Sequence, residues 1–414
     1  MQNLTLLYLT FSSNLLGSLS VNRYSNIHLK GMTTKNSFYS LIYLKWNKND
    51  IKKQFLIENS RFSNFLQTAI YITSFKISNK TFENTLLLNC DQQIIIENCF
   101  FESCSTQKTG GAIYLDPSQC MPKTISLTGC TFFNCKATNS GGVYLSSNDS
   151  ILSRCCFNKC FARISNHAFC LQSPTYSHKS ENELISIYKC PDTGSGRYSC
   201  SLSNGNFLFT YFNSTNNKNN DVASISHVHS SYSEFYYVNF INNSGVDGIT
   251  LHDSIEIFIT EGNIISNNFK VSPFSATEDL CYVIIDRVFF IQNVRPIIEL
   301  NDKCIFYLSY CSFDTEIREA FGIKQETNLL PRYCKVIEDL EGSPSIDYVF
   351  NDVCFTHIPV SSSSSKNDHN TFYILIIISG ASIIILSAIL IIIIFVIRKK
   401  KNLEGWLTTN EQIQ

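Results

Sequence analysis

The run Cys130–Leu145 reads "CTFFNCKATNSGGVYL", and most of it has already been written once, as "CFFESCSTQKTGGAIYL" over Cys99–Leu115. Both contain Cys-x-Phe-x-x-Cys, then a Gly-Gly, then a short apolar strand with tyrosine. A third version opens with "CCFNKC", Cys155–Cys160, and closes with "SNHAFCL", Ser165–Leu171, where His167 and Ala168 stand in place of the glycines. A Gly-Gly before a strand is common alone, since glycine enters positive-φ turns without steric cost. Here it is one part of a longer repeated unit.

Following the central phenylalanine outward gives Phe62, Phe82, Phe101, Phe132 and Phe157, then Phe240, Ile265, Phe290 and Phe313, with Phe355 as a last member. The intervals run from nineteen to thirty-one residues and return to twenty-five, and such periods mark a solenoid, propeller or array. Neither a Leu-x-x-Leu-x-Leu ladder nor a Trp-Asp signature is present. Each unit holds short runs of Ile, Val, Phe and Tyr, such as Gln93–Cys99 and Thr124–Cys130, broken by Asn, Ser and Gly, which is strand material bounded by turns. Short strands stacked on their equivalents in the next unit make a right-handed parallel β-helix, with inward phenylalanines in a column and turn asparagines in a hydrogen-bonded ladder. A β-sandwich is the competing all-β fold.

The pairs Gly110-Gly111-Ala112-Ile113 with Phe132-x-x-Cys135, and Phe240-x-x-Asn243 with Phe290-x-x-Asn293, resemble the Gly-Gly-Ala-Ile and Phe-x-x-Asn repeats of polymorphic outer membrane proteins. Those are β-helical surface proteins of chlamydiae, with similar repeats in parasitic protists. The resemblance covers roughly residues 90 to 295. Val143 stands for Ala in the second copy, and cysteine replaces Asn at three coils. The family implies surface display and adhesion and supplies no catalytic residues.

Residues Phe372 to Ile397 carry no charge across twenty-six positions, enough to cross a hydrocarbon core as a transmembrane helix. Arg398 and Lys399–Lys401 follow, which the positive-inside rule places in the cytoplasm. The expected organisation is a signal peptide over 1–20, irregular in lacking a basic residue before Arg23; a β-helix ectodomain over 21–356 with an inserted loop at about 173–220; a Ser-rich juxtamembrane linker over 357–371; the span; and a short cytoplasmic tail, 398–414. That is a type I plasma-membrane protein. With a net charge of −1 and no basic stripe, nucleic acid is excluded as a partner.

All 17 cysteines lie between Cys90 and Cys354, on the expected exported side, where disulfides come first. Stacking would put Cys99, Cys130 and Cys155 in one column and Cys104, Cys135 and Cys160 in another, with Cys190 and Cys200 closing a local loop. Sequons stand at Asn3, Asn79, Asn148, Asn213 and Asn242. No Cys-x-x-Cys occurs, so zinc is not expected. His167, His178, His227 and His229 lack a ligand constellation, and no cofactor is implied.

β-Helices also house polysaccharide lyases and hydrolases, which need paired carboxylates or an acidic cation site. Glu181 with Glu183, and Glu278 with Asp279, are the closest acidic pairs, in stretches that read as solvated loops. A seventeen-residue tail is too short for a signalling domain. The sequence therefore reads as a non-catalytic, single-pass surface glycoprotein that binds an extracellular glycan or protein, with a membrane-anchored polysaccharide lyase or hydrolase as the alternative.

Overall fold

The computed structural model describes residues 3–337 except 8–9, 13–25, 47–53, 75–87, 117–119, 193–195, 220–224, 229, 231, 253–255, 277–280, 295, 300–303 and 322–328. Within that range the chain is a parallel β-solenoid. Two sheets run its length, one of 21 strands and one of 10, and a two-stranded sheet widens it locally. The pairings between coils are all parallel: Ile27 lies beside Phe55, Phe55 beside Ile94, and Ile94 beside Ile125.

Two left-handed corners recur along the solenoid, with a third at Gly110, Ser140 and Asn166 in the cysteine-marked coils. The strand Cys120–Thr128 ends at Gly129 (φ 63°), a short strand Thr131–Phe133 follows, and Asn134 (φ 53°) turns the chain again. Equivalent positive-φ residues are Asn98 and Ser103 one coil earlier, and Arg154 and Lys159 one coil later. Each corner reverses the in–out alternation, so the residue after it points inward. In this way the Cys-x4-Cys spacing arises, since Cys99, Cys104, Cys130, Cys135, Cys155 and Cys160 each follow a corner residue and are buried.

Between the corners sits the phenylalanine column. Phe62, Phe101, Phe132 and Phe157 are fully buried, with stacked rings 4.9, 5.0 and 4.8 Å apart. Phe62 pairs directly with Phe101, so Phe82 is no rung between them; it lies outside the described residues, as does Phe355. The column continues through Ile187, Ser214, Phe240, Ile264 and Phe290 to Phe313. Ile264 rather than Ile265 is therefore the member opposite Phe240, a one-residue shift that moves the side chain to the other face.

The Gly-Gly motifs align one residue away from their sequence match. Gly111 meets Gly141 and Ala112 meets Gly142, so Ile113, not Ala112, is the partner of Val143. The earlier coil holds one extra residue between the bridges Ser105–Lys136 and Thr109–Asn139, and the backbones then approach closely: a Cβ on Gly111 would stand 1.9 Å from the carbonyl oxygen of Gly141, and one on Gly141 would stand 2.4 Å from that of His167.

One expected boundary is corrected. The segment 173–220 is not an inserted loop, because Lys179–Tyr188, Cys200–Ser203 and Asn206–Thr215 are strands in register with the coils on either side. Its inward positions Ser180 and Asn182 are polar, and that removed the hydrophobic alternation from view. Asn3–Leu7, placed in the signal peptide, pairs with Asn26–Lys30 as a strand of the solenoid, and Leu4 and Leu6 pack on its core. Cleavage after Ser20 would remove that strand.

The chain divides into two units, Met1–Thr356 and His357–Gln414. The linker, the span at 372–397 and the tail all fall outside the described residues. No helix among the described residues is long and apolar enough to cross a membrane.

Candidate functional site

Beyond the second corner, the residue that follows it forms a ladder whose chemistry changes partway along. Cys104, Cys135, Cys160 and Cys190 direct their thiols at the carbonyls of Phe62, Phe101, Phe132 and Phe157, at 3.8, 3.6, 3.4 and 3.4 Å. Then Asn217, Asn243, Asn267 and Asn293 take over. Their amides donate to Ile187, Ser214, Phe240 and Ile264 at 3.3, 2.8, 2.7 and 2.5 Å. Cysteine thus fills the asparagine place of Phe-x-x-Asn, with a weaker donor and a smaller side chain.

The eight disulfide candidates Cys99, Cys104, Cys130, Cys135, Cys155, Cys160, Cys190 and Cys200 are all buried thiols in the structure. Burial pushes the thiols of Cys99, Cys104, Cys155, Cys160 and Cys200 well above the ordinary range, and that of Cys170 up to about 11. A described disulfide joins Cys281 to Cys304 in adjacent coils, Cα atoms 4.6 Å apart, and Cys156 is also disulfide-bonded. The repeated spacing selected the core thiols and passed over these.

Of the sequons, Asn148 and Asn213 are only 6% and 4% exposed. Asn213 accepts from the Thr215 hydroxyl at 2.7 Å. Asn242 is an exposed corner residue, and its amide donates to Asn216 on the coil before. Asn79 lies outside the described residues.

Glu181 and Glu183 are in a strand, not a loop; they project outward on one face, with Asn182 between them pointing in. Lys179 pairs with Glu181 at 2.8 Å, both more than half exposed. Two carboxylates side by side on an open sheet do not form the facing walls that acid/base cleavage of a glycosidic bond uses. Glu278 and Asp279 fall outside the described residues. His167 is fully buried, and its Nδ1 accepts the Ala162 N–H at 2.9 Å. His178 Nδ1 lies 3.6 Å from Asp149. No group of metal-ligating side chains gathers among the described residues.

The outer surface carries aromatic ladders. Tyr43, Tyr71, Tyr114 and Tyr144 stack at 5.3, 4.8 and 5.2 Å along the ten-stranded sheet, with Tyr114 donating to Asp116 at 2.9 Å and Tyr144 to Gln172 at 2.7 Å. Their faces cover one another, so they stabilise the sheet and offer solvent only ring edges.

One concavity does gather chemically mixed groups. It is a cleft of about 370 Å³ where three successive coils pass the second corner, with Asn134 and Lys136 from one, Lys159 and Phe161 from the next, and Pro191 and Asp192 from the third. Lys136, Lys159 and Asp192 are exposed and Phe161 is half-buried. The two-stranded sheet, which pairs Lys136 with Phe161, sets these side chains one coil apart. Among the described residues no carboxylate reaches ion-pair distance of Lys136 or Lys159, and Lys159 stands 6.0 Å over the Phe133 ring. Sequence reasoning missed the cleft because its lining comes from segments some thirty residues apart.

These features define a β-solenoid with laddered outer faces and a small cleft of mixed lining. No known protein family and no curated protein matches the chain. Among solved structures it is similar to the crystal structure of bacteriophage CBA120 tailspike protein 3, with a TM-score of 0.37, 10% identity, and coverage of 81% of this chain and 56% of that one. The chain therefore spans little more than half of the tailspike's length. So distant a likeness carries no functional argument, and the fold assignment rests on the strand pairings themselves.

Proposed function

We propose that this protein is a cell-surface adhesin, a non-catalytic solenoid that displays binding surfaces from a single-pass type I anchor at 372–397. The observation that supports it most directly is the cleft: lysines without an ion-pair partner among the described residues, beside a carboxylate and an aromatic ring, carried on stacked backbone. The extracellular placement rests on the apolar run and on Arg398 and Lys399–Lys401 behind it. Polysaccharide cleavage at Glu181 and Glu183 is the opposing reading.

Saturable coating of host-type cells or of a matrix and glycan array by purified full-length protein tests this proposal. Binding without release of new reducing or unsaturated sugar ends supports the adhesin. Turnover that disappears in Glu181→Gln or Glu183→Gln, without saturable binding, overturns it. Protease applied to intact cells should remove epitopes before Ser361 and spare one fused after Gln414; the reverse pattern would sink the topology.

A further inference from the structure

We propose that the cleft at the second corner binds an acidic sugar residue of a glycan, with its anionic substituent between Lys136 and Lys159 and its hydroxyls on Asn134 and Asp192. This rests on the reading of the solenoid as a binding scaffold and names the class of ligand.

Four features of the cleft point to that chemistry. Lys136 and Lys159 sit in adjacent coils without an acidic partner among the described residues, and two ammonium groups so placed favour an anion between them. Asp192 also lines the cleft. A carboxylate there repels a densely charged polyanion such as nucleic acid or a polyphosphate, yet accepts hydrogen bonds from neutral hydroxyls. Phe161 and Pro191 give the lining apolar surface for the C–H face of a sugar ring, and the Phe161 ring packs at a tilt against buried His167, centroids 5.7 Å apart. Finally, the size is near the lower end of small-ligand pockets, which suits one or two sugar residues rather than a folded partner.

The site is also rigid. Lys136 and Phe161 donate their backbone N–H groups to the carbonyls of Cys104 and Cys135, at 2.8 and 2.9 Å. Cys160 and Cys190, buried in the ladder beneath, fix the turns that carry Phe161 and Pro191. Little main-chain ordering is left for the ligand to impose, and the cost of binding falls on the exposed Lys136 and Lys159 side chains.

Titration of the full-length protein with a hyaluronan tetrasaccharide (carboxylate only), a chondroitin sulfate tetrasaccharide (carboxylate and sulfate) and a carboxyl-reduced, neutral hyaluronan tetrasaccharide tests the assignment. The charged probes should bind at least about tenfold more tightly than the neutral one, as loss of a charge-assisted contact implies. The double variant Lys136→Gln/Lys159→Gln should lose that difference while keeping the thermal midpoint of the parent. Lys179→Gln, whose ammonium pairs with Glu181 and does not line the cleft, should bind like the parent. Which charged probe binds more tightly identifies the anionic group. Equal affinity for charged and neutral probes, or undiminished binding by the double variant, overturns the assignment. If full-length protein coats cells saturably yet binds no acidic probe, the cleft assignment fails and the scaffold reading stands; if it does neither, both fail.

Discussion

The backbone N–H of Cys190 donates to the side-chain oxygen of Asn217 at 2.7 Å, and this contact joins a ladder of thiols to a ladder of amides. On the amide side each asparagine both accepts from the next lower coil and donates across it: Asn243 receives the Asn217 N–H at 3.0 Å and gives its own amide to the Ser214 carbonyl at 2.8 Å. On the thiol side the Sγ–H bond is longer and weaker, and packing carries more of the load.

Asn243→Ala should therefore be more damaging than Cys135→Ala. It strands a buried N–H and a buried C=O, at roughly 1–3 kcal/mol each, whereas Cys135→Ala removes a small side chain and a weak donor, for about 1 kcal/mol. Denaturant unfolding of both variants checks the order, and equal losses would mean the two ladders contribute alike. Because each coil touches only its neighbours, hydrogen exchange should rise near the altered coil and stay low several coils away.

The glycines of the opening motif make a separate claim about backbone approach. Gly111→Ala puts a methyl 1.9 Å from a backbone oxygen that cannot swing away, so the two coils must part, at about 3 kcal/mol or more. Gly205→Ala is the control. Its nearest neighbour is the Ser173 hydroxyl at 2.9 Å, the end of a side chain that can rotate, and the change should stay within about 1 kcal/mol. Thermal midpoints of the two variants decide it.

How far the sequence revealed this architecture depended on which side chains mark the corners. Cys99 to Cys160 stood out because each follows a left-handed residue and points inward, so the corner geometry was written as Cys-x4-Cys. In the coils at Ser173–Asn220 one rung was hidden because its inward positions, Ser180 and Asn182, are polar, although Phe207 and Phe209 keep an apolar core in the next. Ser150 and Ser180 face inward, bonded to each other at 2.6 Å, while Ile151 and Leu208 face outward. The cleft could not be read at all, since no spacing rule links Lys136, Lys159 and Asp192 before the coils are stacked. Its residues adjoin Cys135, Cys160 and Cys190, and that adjacency was the signal available.

Glycosylation follows accessibility. A glycan on Asn148 or Asn213 would have to occupy the space of the packed coils, whereas the Asn242 side chain is exposed and loses one corner hydrogen bond at most. Glycopeptide mapping of protein from a glycosylating host should find Asn242 occupied and Asn148 and Asn213 bare. Full occupancy at Asn213 would show that the Asn206–Thr215 strand does not stack as described.

The last described coil carries the remaining test. Cys311 and Cys334 occupy facing positions, since Ser312 pairs with Lys335 and the Lys335 N–H donates to the Cys311 carbonyl at 3.0 Å; beside them Tyr310 and Tyr333 stack at 5.1 Å. Cys311 is buried and Cys334 partly exposed. A thiol hydrogen bond from Cys311 holds the Cys334 thiol below the ordinary range, at about 7, and the same contact together with burial pushes Cys311 up. Cys334 is thus the member that ionises first, and its thiolate is the nucleophile toward an alkylating agent. Its alkylation rate should rise through neutral pH and level off at mildly alkaline pH, while Cys311 stays unlabelled until the coil unfolds. Cys311→Ala removes the donor, so the midpoint for Cys334 should move up toward that of an ordinary thiol. The profile is read by mass spectrometry of the Cys334 peptide after brief iodoacetamide pulses across pH 5 to 10, roughly the interval that spans a lowered and an ordinary thiol. A midpoint that is ordinary in the parent and unmoved in Cys311→Ala would show that the two sulfurs do not meet.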